Sequence, residues 1–143
     1  MIKLTYGLDD NPDAKLIREE VFVLEQGFHE EFDSIDDHAW HVVLYQDSEP
    51  AATGRTFCQD GVYHIGRVAV RKKFRGSGLG SHIMTALETK LRNLGVSHVE
   101  LSAQLQAQGF YQKIGYHAQG DVYLDEHCPH ICMWKDLTNG SLS

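Results

Sequence analysis

Cysteine is scarce: the 143 residues contain three, an odd number that gives no disulfide framework. Positive charge is also short, with 13 Lys and Arg against 20 Asp and Glu, for a net charge of −7. Such a chain is poorly suited to general nucleic-acid binding, which depends on cations neutralising phosphates. No apolar run is long enough to cross a bilayer, and no charged-then-apolar signal segment opens the chain. These absences lead us to expect no nucleic-acid or membrane partner and a reducing, cytoplasmic setting. Internal repeats, low-complexity blocks and Pro/Gly/Ser linkers are missing too, so residues 1–143 are expected to form one domain. The contents fit that expectation. Hydrophobic residues make up 42% and charged residues 23%, which are globular proportions, and the length suffices to enclose a core.

The charges are unevenly placed. Most Asp and Glu residues precede residue 61, whereas Arg67, Arg71, Lys72, Lys73 and Arg75 crowd together. "IKLTY" alternates like a first strand, and "DDNPDAKLIREEVFVLEQGF" reads as a helix with Ala14, Ile17, Val21 and Leu24 on one stripe and Gly27 at its end. "HEEFDSIDDHA" is a polar loop or short helix. Three strands follow, "WHVVLYQ", "PAATGRTFCQ" and "VYHIGRVAV", separated by "DSE" and "DG" turns. From Gly78 to Leu94 the pattern is helical, with Leu79, Ile83, Leu87 and Leu91 in line and Gly95 as the stop. "VSHVELSA" is a strand, "QLQAQGFYQKIG" a short helix carrying Leu105, Phe110 and Ile114, and "YHAQGDVYL" with "HICMWKDL" a closing antiparallel pair. The tail "LTNGSLS" reads as a frayed terminus. Helices interspersed with a mixed sheet make this an α/β layered domain.

One turn stands out chemically. Arg75, Gly76, Ser77, Gly78, Leu79 and Gly80 lie between a strand ending near Val70 and the helix opening near Gly78. Glycines permit positive φ and close approach to the main chain. The unsatisfied amides of the first helical turn and the positive end of its dipole attract an anion, so a pyrophosphate is a good match. A P-loop is excluded because the turn does not end in Gly-Lys-Ser/Thr. A dinucleotide fingerprint needs GxGxxG, whereas the glycines here run GxGxG, and Glu100 sits inside a strand rather than at its carboxyl end. The stretch "VAVRKKFRGSGLGSHIM" resembles, nearly residue for residue, the coenzyme A motif of the GNAT superfamily of N-acetyltransferases. Arg75, Gly78 and Gly80 match its Arg/Gln-x-x-Gly-x-Gly/Ala core, and Val68 and Val70 match the preceding strand. "ELSAQLQAQGFYQKIGYH" resembles the second motif of that superfamily, with Phe110, Tyr111, Gly115 and Tyr116 in place and Gln104 where relatives often have Asn. "IREEVFVLEQGFHEEFDSIDDHAWH" and "DEHCPHICM" further resemble the ElaA-like branch.

The resemblance implies a mixed central sheet flanked by helices and splayed at the coenzyme site. It implies acetyl-CoA as cosubstrate, with the pantetheine arm along Val68, Ala69 and Val70, near Gln104. The diphosphate would lie on the amides of Arg75, Gly76, Ser77, Gly78, Leu79, Gly80 and Ser81. The expected reaction is direct attack of a primary amine on the thioester. A backbone amide near Val68 is the candidate oxyanion donor, and Tyr111 is the implied acid for the departing thiolate. For the base, Glu31 and His130 are the leading candidates beside Glu25 and Asp125. Carboxylates would need burial to raise their pKa, while His130 starts nearer neutrality.

Other features carry weaker chemistry. Cys128, His130 and Cys132 alternate near His127, but Pro129 interrupts them and zinc-loop spacing is absent, so no metal is expected. His38 and His41 flank Trp40 and could line a pocket or be structural. Arg18 is expected to pair with Glu20 or Glu25 along its helix. The acidic stretch from Glu30 to Asp37 could wall the acceptor site and favour a cationic small-molecule amine, or simply be solvated. Two other classes stay open: a catalytically silent acyl-CoA-binding sensor of the same fold, and a nucleotide-binding protein. Relatives of this size often pair, so a homodimer is compatible with the resemblance.

Overall fold

The computed structural model of the protein describes residues 1–29 and 31–138. The frayed tail expected at the carboxyl end falls largely outside this range, from residue 139 on.

The first helix starts where the sequence puts its stop-and-start signals. Asn11 accepts a hydrogen bond from the Ala14 amide through its side chain, and Pro12 occupies the first turn of α1 (Pro12–Arg18). Ala14 and Ile17 are fully buried. The helix then widens into a π-helical segment, Glu19–Glu25, which shifts the phase of every side chain after it. Val21 and Phe22 are buried, but Leu24, expected on the same stripe, is 75% exposed. A one-turn 3₁₀ helix, Ser34–His38, occupies part of the polar loop.

Strands β1 (Ile2–Tyr6), β2 (Trp40–Gln46), β3 (Glu49–Gln59), β4 (Val62–Val70), β5 (His98–Gln104), β6 (His117–Asp125) and β7 (Cys128–Asp136) form one seven-stranded sheet in the order β1-β2-β3-β4-β5-β7-β6. Every pairing is antiparallel except that of β4 with β5. β7 begins two residues earlier than expected. Pro129 is tolerated in it because it lies ahead of His130, the first residue paired to β5. The alternation of strand side chains divides the apolar residues between two faces. Val42, Ala52, Ile65, Leu101 and Met133 pack under α2 (Leu79–Asn93) with Ile83, Met84, Leu87 and Leu91. Val43 and Ala69 face the other way, against Ala14, Ile17, Val21 and Phe22. A 3₁₀ turn at Leu105–Ala107 precedes α3 (Gln108–Lys113). Phe110 and Ile114 pack on the core as expected, whereas Leu105 in the 3₁₀ turn is exposed. No helix among the described residues is long and apolar enough to cross a membrane.

Gly54 is where α2 comes closest to the sheet. A Cβ there would sit 2.7 Å from Ile83 Cγ2 and 2.9 Å from Leu87 Cδ1. Gly54→Ala should therefore destabilise the fold by about 1–3 kcal/mol, the range for overpacking a tight core. Urea unfolding checks this, and a midpoint at or above that of the native chain would contradict the packing.

Two local features open the sheet. β4 and β5 pair only at Tyr63 with Val99, His64 with Glu100 and Ile65 with Leu101. Beyond Ile65 and Leu101 the two strands continue unpaired to Val70 and Gln104. On its other side, the register of β4 against β3 slips between Thr53 and Arg55, and Arg67 adopts φ 51°. The extra residue is a β-bulge, which bends the strand that carries it. A wedge results between two neighbouring parallel strands, as the resemblance led us to expect.

Candidate functional site

The wedge belongs to a cavity of about 670 Å³, within the usual range for small-molecule sites. One wall is β4. The Arg71 amide donates to the Ala51 carbonyl on the β3 side. Alternation then turns the Val70 amide toward the wedge, where no strand pairs with it, while Val68 sits in the bulge on the same unpaired stretch. Val68, Ala69 and Val70 all line the cavity.

At the head of α2 the backbone passes through Gly76 at φ 93° and Gly78 at φ 80°, conformations that glycine adopts without strain. Gly78 caps the helix without any side-chain hydrogen bond, so the first-turn amides of Leu79, Gly80 and Ser81 have no intrahelical acceptor. Arg75, Gly76, Gly78, Leu79, Gly80 and Ser81 line the cavity. Ser77 does not; its hydroxyl donates to the Phe74 carbonyl and braces the turn from behind. Gly80 leaves room for Phe110, whose ring edge would stand 3.4 Å from a Cβ there. These are the features a pyrophosphate requires: free amides, a dipole end, and a main chain bare enough to approach. A Cβ at Gly78 would meet no protein atom within 4 Å, so it would project into open space beside the turn, where it would obstruct any ligand laid against this main chain. Gly78→Val should raise the Kd for acetyl-CoA by about tenfold or more, with a modest loss of stability from the strained φ. An unchanged Kd would show that the ligand does not approach this main chain.

The cations beside the turn are less available than their sequence crowding suggested. Arg75 gives Nη1 and Nη2 to the two oxygens of Glu25 at 2.6 and 2.7 Å, and Nε to the Val70 carbonyl. Arg71 is paired with Glu20 and Lys73 with Glu49. Arg75 thus ties the turn to the π-helical segment, and its guanidinium is already engaged. The same contact disfavours Glu25 as a base, because the hydrogen bond from Arg75 lowers its pKa below the ordinary carboxylate value.

Tyr111 lines the cavity from α3, with its ring edge-on to Phe110 and Tyr116 at 5.0 and 5.9 Å. Its hydroxyl engages no protein partner among the described residues, and burial pushes the phenol up to about 12. It is therefore protonated at neutral pH and free to donate. Beneath it, the Tyr116 hydroxyl donates to Glu88 at 2.8 Å, and Lys135 binds the other oxygen of Glu88. Gln104 reaches the cavity from the end of β5 and donates to the Gln26 side-chain oxygen at 2.7 Å.

His130 lies buried in β7 and also lines the cavity. Its Nδ1 is 2.9 Å from the Cys128 carbonyl, which can only accept. Nδ1 therefore carries the hydrogen, which leaves Nε2 as the ring nitrogen able to take up a proton. Glu31 lines the cavity with both oxygens engaged: Oε2 accepts from Arg18 Nε at 2.8 Å, and Oε1 lies 3.2 Å from Arg67 Nε. Burial raises the Glu31 pKa, and the neighbouring guanidiniums oppose that without cancelling it. Asp125 stands exposed at the rim.

Among the described residues of the acidic stretch only Glu31 lines the cavity, and its carboxylate is paired with guanidiniums. Arg18, 1% exposed at its side chain, bonds Glu31 and, through Nη1 at 2.7 Å, Asp36, instead of pairing with Glu20 or Glu25 as expected. Arg55 Nη1 contacts Asp33 at 2.8 Å and Asp36 at 2.7 Å. Burial alone would raise Asp36, but the Arg18 hydrogen bond and the charges of Arg18 and Arg55 outweigh it and hold its carboxyl at about 2. Asp33, Asp36 and Asp37 border a separate, smaller hollow with Lys15. Glu30 lies outside the described residues. His41 is fully buried against the Asp36 carbonyl, and neither it nor His38 borders the cavity. Among the described residues, no group of three or more His, Cys, Asp or Glu side chains could hold a metal ion.

The site residues missed from the sequence include Arg55, Arg67, Gln26, Phe28 and Phe57, all at the cavity wall. Arg55 was legible as a lone cation in an apolar strand, on the same parity as Ala51 and Thr53. Arg67 was not, because nothing in its neighbours announces a positive φ.

Comparison with known proteins bears on the same features. A family model described as an acetyltransferase (GNAT) domain matches residues 9–137. The uncharacterized N-acetyltransferase YjcF of Bacillus subtilis is 40% identical over 127 residues, covering 87% of this chain and 91% of that protein. An acyl-CoA N-acyltransferase structure from Pseudomonas aeruginosa is 31% identical with a TM-score of 0.83, covering 94% of this chain and 98% of its own. Escherichia coli ElaA is 28% identical with a TM-score of 0.80, covering 94% of this chain and 99% of its own.

Proposed function

Since the chain belongs to the acetyltransferase (GNAT) family, we propose that it transfers an acetyl group from acetyl-CoA to a primary amine of a small molecule. The observation that carries this reading is the juxtaposition, in one cavity, of the free amides at the head of α2, the unpaired edge of β4 and the unengaged Tyr111 hydroxyl.

The chain's own groups suit each demand of the reaction. The amides of Gly78 to Ser81 bind the diphosphate, and the wedge-facing amides of β4 take the pantetheine arm. The acceptor's ammonium first loses a proton, for which His130 Nε2 is the assigned base. Glu31, with both oxygens bonded to guanidiniums, is better placed to hold Arg18 and Arg67. A C–N bond then forms at the thioester carbonyl, whose developing oxyanion lies within reach of the Val68 amide. As the C–S bond breaks, the Tyr111 hydroxyl gives its proton to the departing thiolate. The coenzyme leaves as a free thiol, and the nitrogen gives up its second proton as the amide forms, which restores the Tyr111 phenol.

A catalytically silent acyl-CoA-binding module would use the same turn and wedge but has no need of a free, protonated Tyr111. Incubation of the protein with acetyl-CoA and a broad panel of primary amines, read by mass spectrometry, separates the two. An acetylated amine is expected. Tight acetyl-CoA binding with no product from any amine would favour the silent module. Mass spectrometry is preferred to a thiol dye because Cys58 is exposed.

A further inference from the structure

The acceptor end of the cavity joins three segments. Arg67 Nε and Nη2 both donate to the Glu31 carbonyl at 3.2 Å. The His29 amide donates to the Glu126 carboxylate, and the Phe28 ring lies 5.0 Å from His127 and 6.4 Å from His130. Arg67, Asp125 and His130 all line this cavity, together with Phe28 and Glu31.

The charges in that space are unequally satisfied. Arg18 uses all three of its nitrogens on Glu31 and Asp36. Arg55 spends both Nη groups on Asp33 and Asp36, and its buried Nε has no acceptor among the described residues. Arg67 differs: its side chain is 24% exposed and lines the cavity, and Nη1 has no acceptor among the described residues. The Asp125 carboxylate, on the same cavity, joins no hydrogen bond or ion pair among the described residues. The Arg67 backbone is also held at φ 51°, which residues of its kind seldom adopt, and such strain tends to persist where a side chain must be placed.

A free guanidinium edge, a free carboxylate and the His130 ring nitrogen are together complementary to a zwitterion. Resting on the acyltransferase reading, we propose that the acceptor is an amine that also carries a carboxylate, as an amino acid does, and that Arg67 selects it. Nη1 takes the carboxylate, and the ammonium lies toward Asp125 and His130. A singly charged anion fits better than a phosphate. Only one nitrogen of Arg67 is free, and its others already lie 3.2 Å from Glu31 and 3.5 Å from Asp33, whose charges would repel a dianion.

The test compares L-amino acids with their primary amides as acceptors. Amidation removes the negative charge and lowers the basicity of the amine, so intrinsic reactivity at neutral pH favours the amide. A preference for the free acid must then come from recognition. The expected result is a kcat/KM at least about tenfold higher for the free acid, the size of one charge-assisted hydrogen bond. Arg67→Gln should bring that ratio close to one by raising KM for the acid, and Arg67→Lys should restore part of it. A native preference for amides would overturn the proposal. So would an Arg67→Gln chain that keeps the acid preference and loses affinity for acetyl-CoA instead. Calorimetric titration of the same pairs into the CoA-loaded protein reads the inference without turnover. Tighter binding of the acid, lost in Arg67→Gln, supports it, and equal binding of both members overturns it. Absence of any acetylated product counts against the acyltransferase reading alone.

Discussion

Tyr111→Phe should lower turnover by roughly 10²- to 10⁴-fold, the contribution of a positioned general acid, while leaving acetyl-CoA affinity nearly intact. The ring stays, so its edge-on contacts with Phe110 and Tyr116 stay. The lost oxygen has no protein partner among the described residues, so its removal strands no buried group. The pH profile offers a second reading of the same residue. Burial holds the phenol at about 12, above its ordinary value of 10.0. The acid therefore remains protonated through pH 10, and no alkaline fall in rate from this group is expected below that point. Steady-state kinetics of the native chain and the variant, with Kd measured separately, check both. An unchanged kcat would remove Tyr111 from the chemistry, and a large rise in Kd would reassign it to coenzyme binding.

Arg18→Met should destabilise the fold by about 3–5 kcal/mol, the cost of breaking a buried ion pair by removing one partner. Met replaces most of the volume, so the penalty is electrostatic: Glu31 and Asp36 are both 4% exposed at their side chains and lose their shortest shared partner. The pH dependence identifies the cause. Asp36 is held at about 2 in the folded protein, below its ordinary 3.8. Its ionised form therefore adds stability that is fully present above about pH 4 and disappears as pH falls toward 2, a contribution on the order of 2 kcal/mol. Without Arg18 that contribution shrinks, so the gap between native chain and variant should be widest near neutrality and narrow as pH drops below 4. Glu31 acts in the opposite sense, since burial raises its pKa and penalises its charged form. Urea unfolding between pH 3 and 7 checks this. A gap that is small, or independent of pH, would mean that the arginine acts by packing alone.

Local signals were legible in the sequence and long-range ones were not. The stripe of Ile83, Leu87 and Leu91 and the alternation in β2 and β4 are short-range patterns, and the corresponding elements stand within a few residues of where those patterns place them. The glycine turn was legible because its backbone demands restrict residue type at Gly76 and Gly78. The π-helical widening after Arg18 was hidden, since Leu24 continues an unbroken helical repeat on paper. The surroundings of the acidic stretch were hidden for a different reason. Its partners lie 13 to 36 residues away along the chain, and composition alone cannot distinguish a solvated run of carboxylates from one neutralised by Arg18, Arg55 and Arg67. The bulge at Arg67 has the same character, because it depends on how β3 and β4 register and on no motif within β4 itself.

The account's central claim is that the amides at the head of α2 hold the diphosphate of coenzyme A and that the wedge holds its arm. Calorimetric titration of acetyl-CoA into the purified chain, with pantetheine, NAD and ATP as separate competitors, tests it most directly. The claim predicts saturable acetyl-CoA binding that none of the three displaces effectively, since pantetheine lacks the diphosphate and the nucleotides lack the arm. Displacement by NAD or ATP at comparable concentrations, or no acetyl-CoA binding at all, would contradict it.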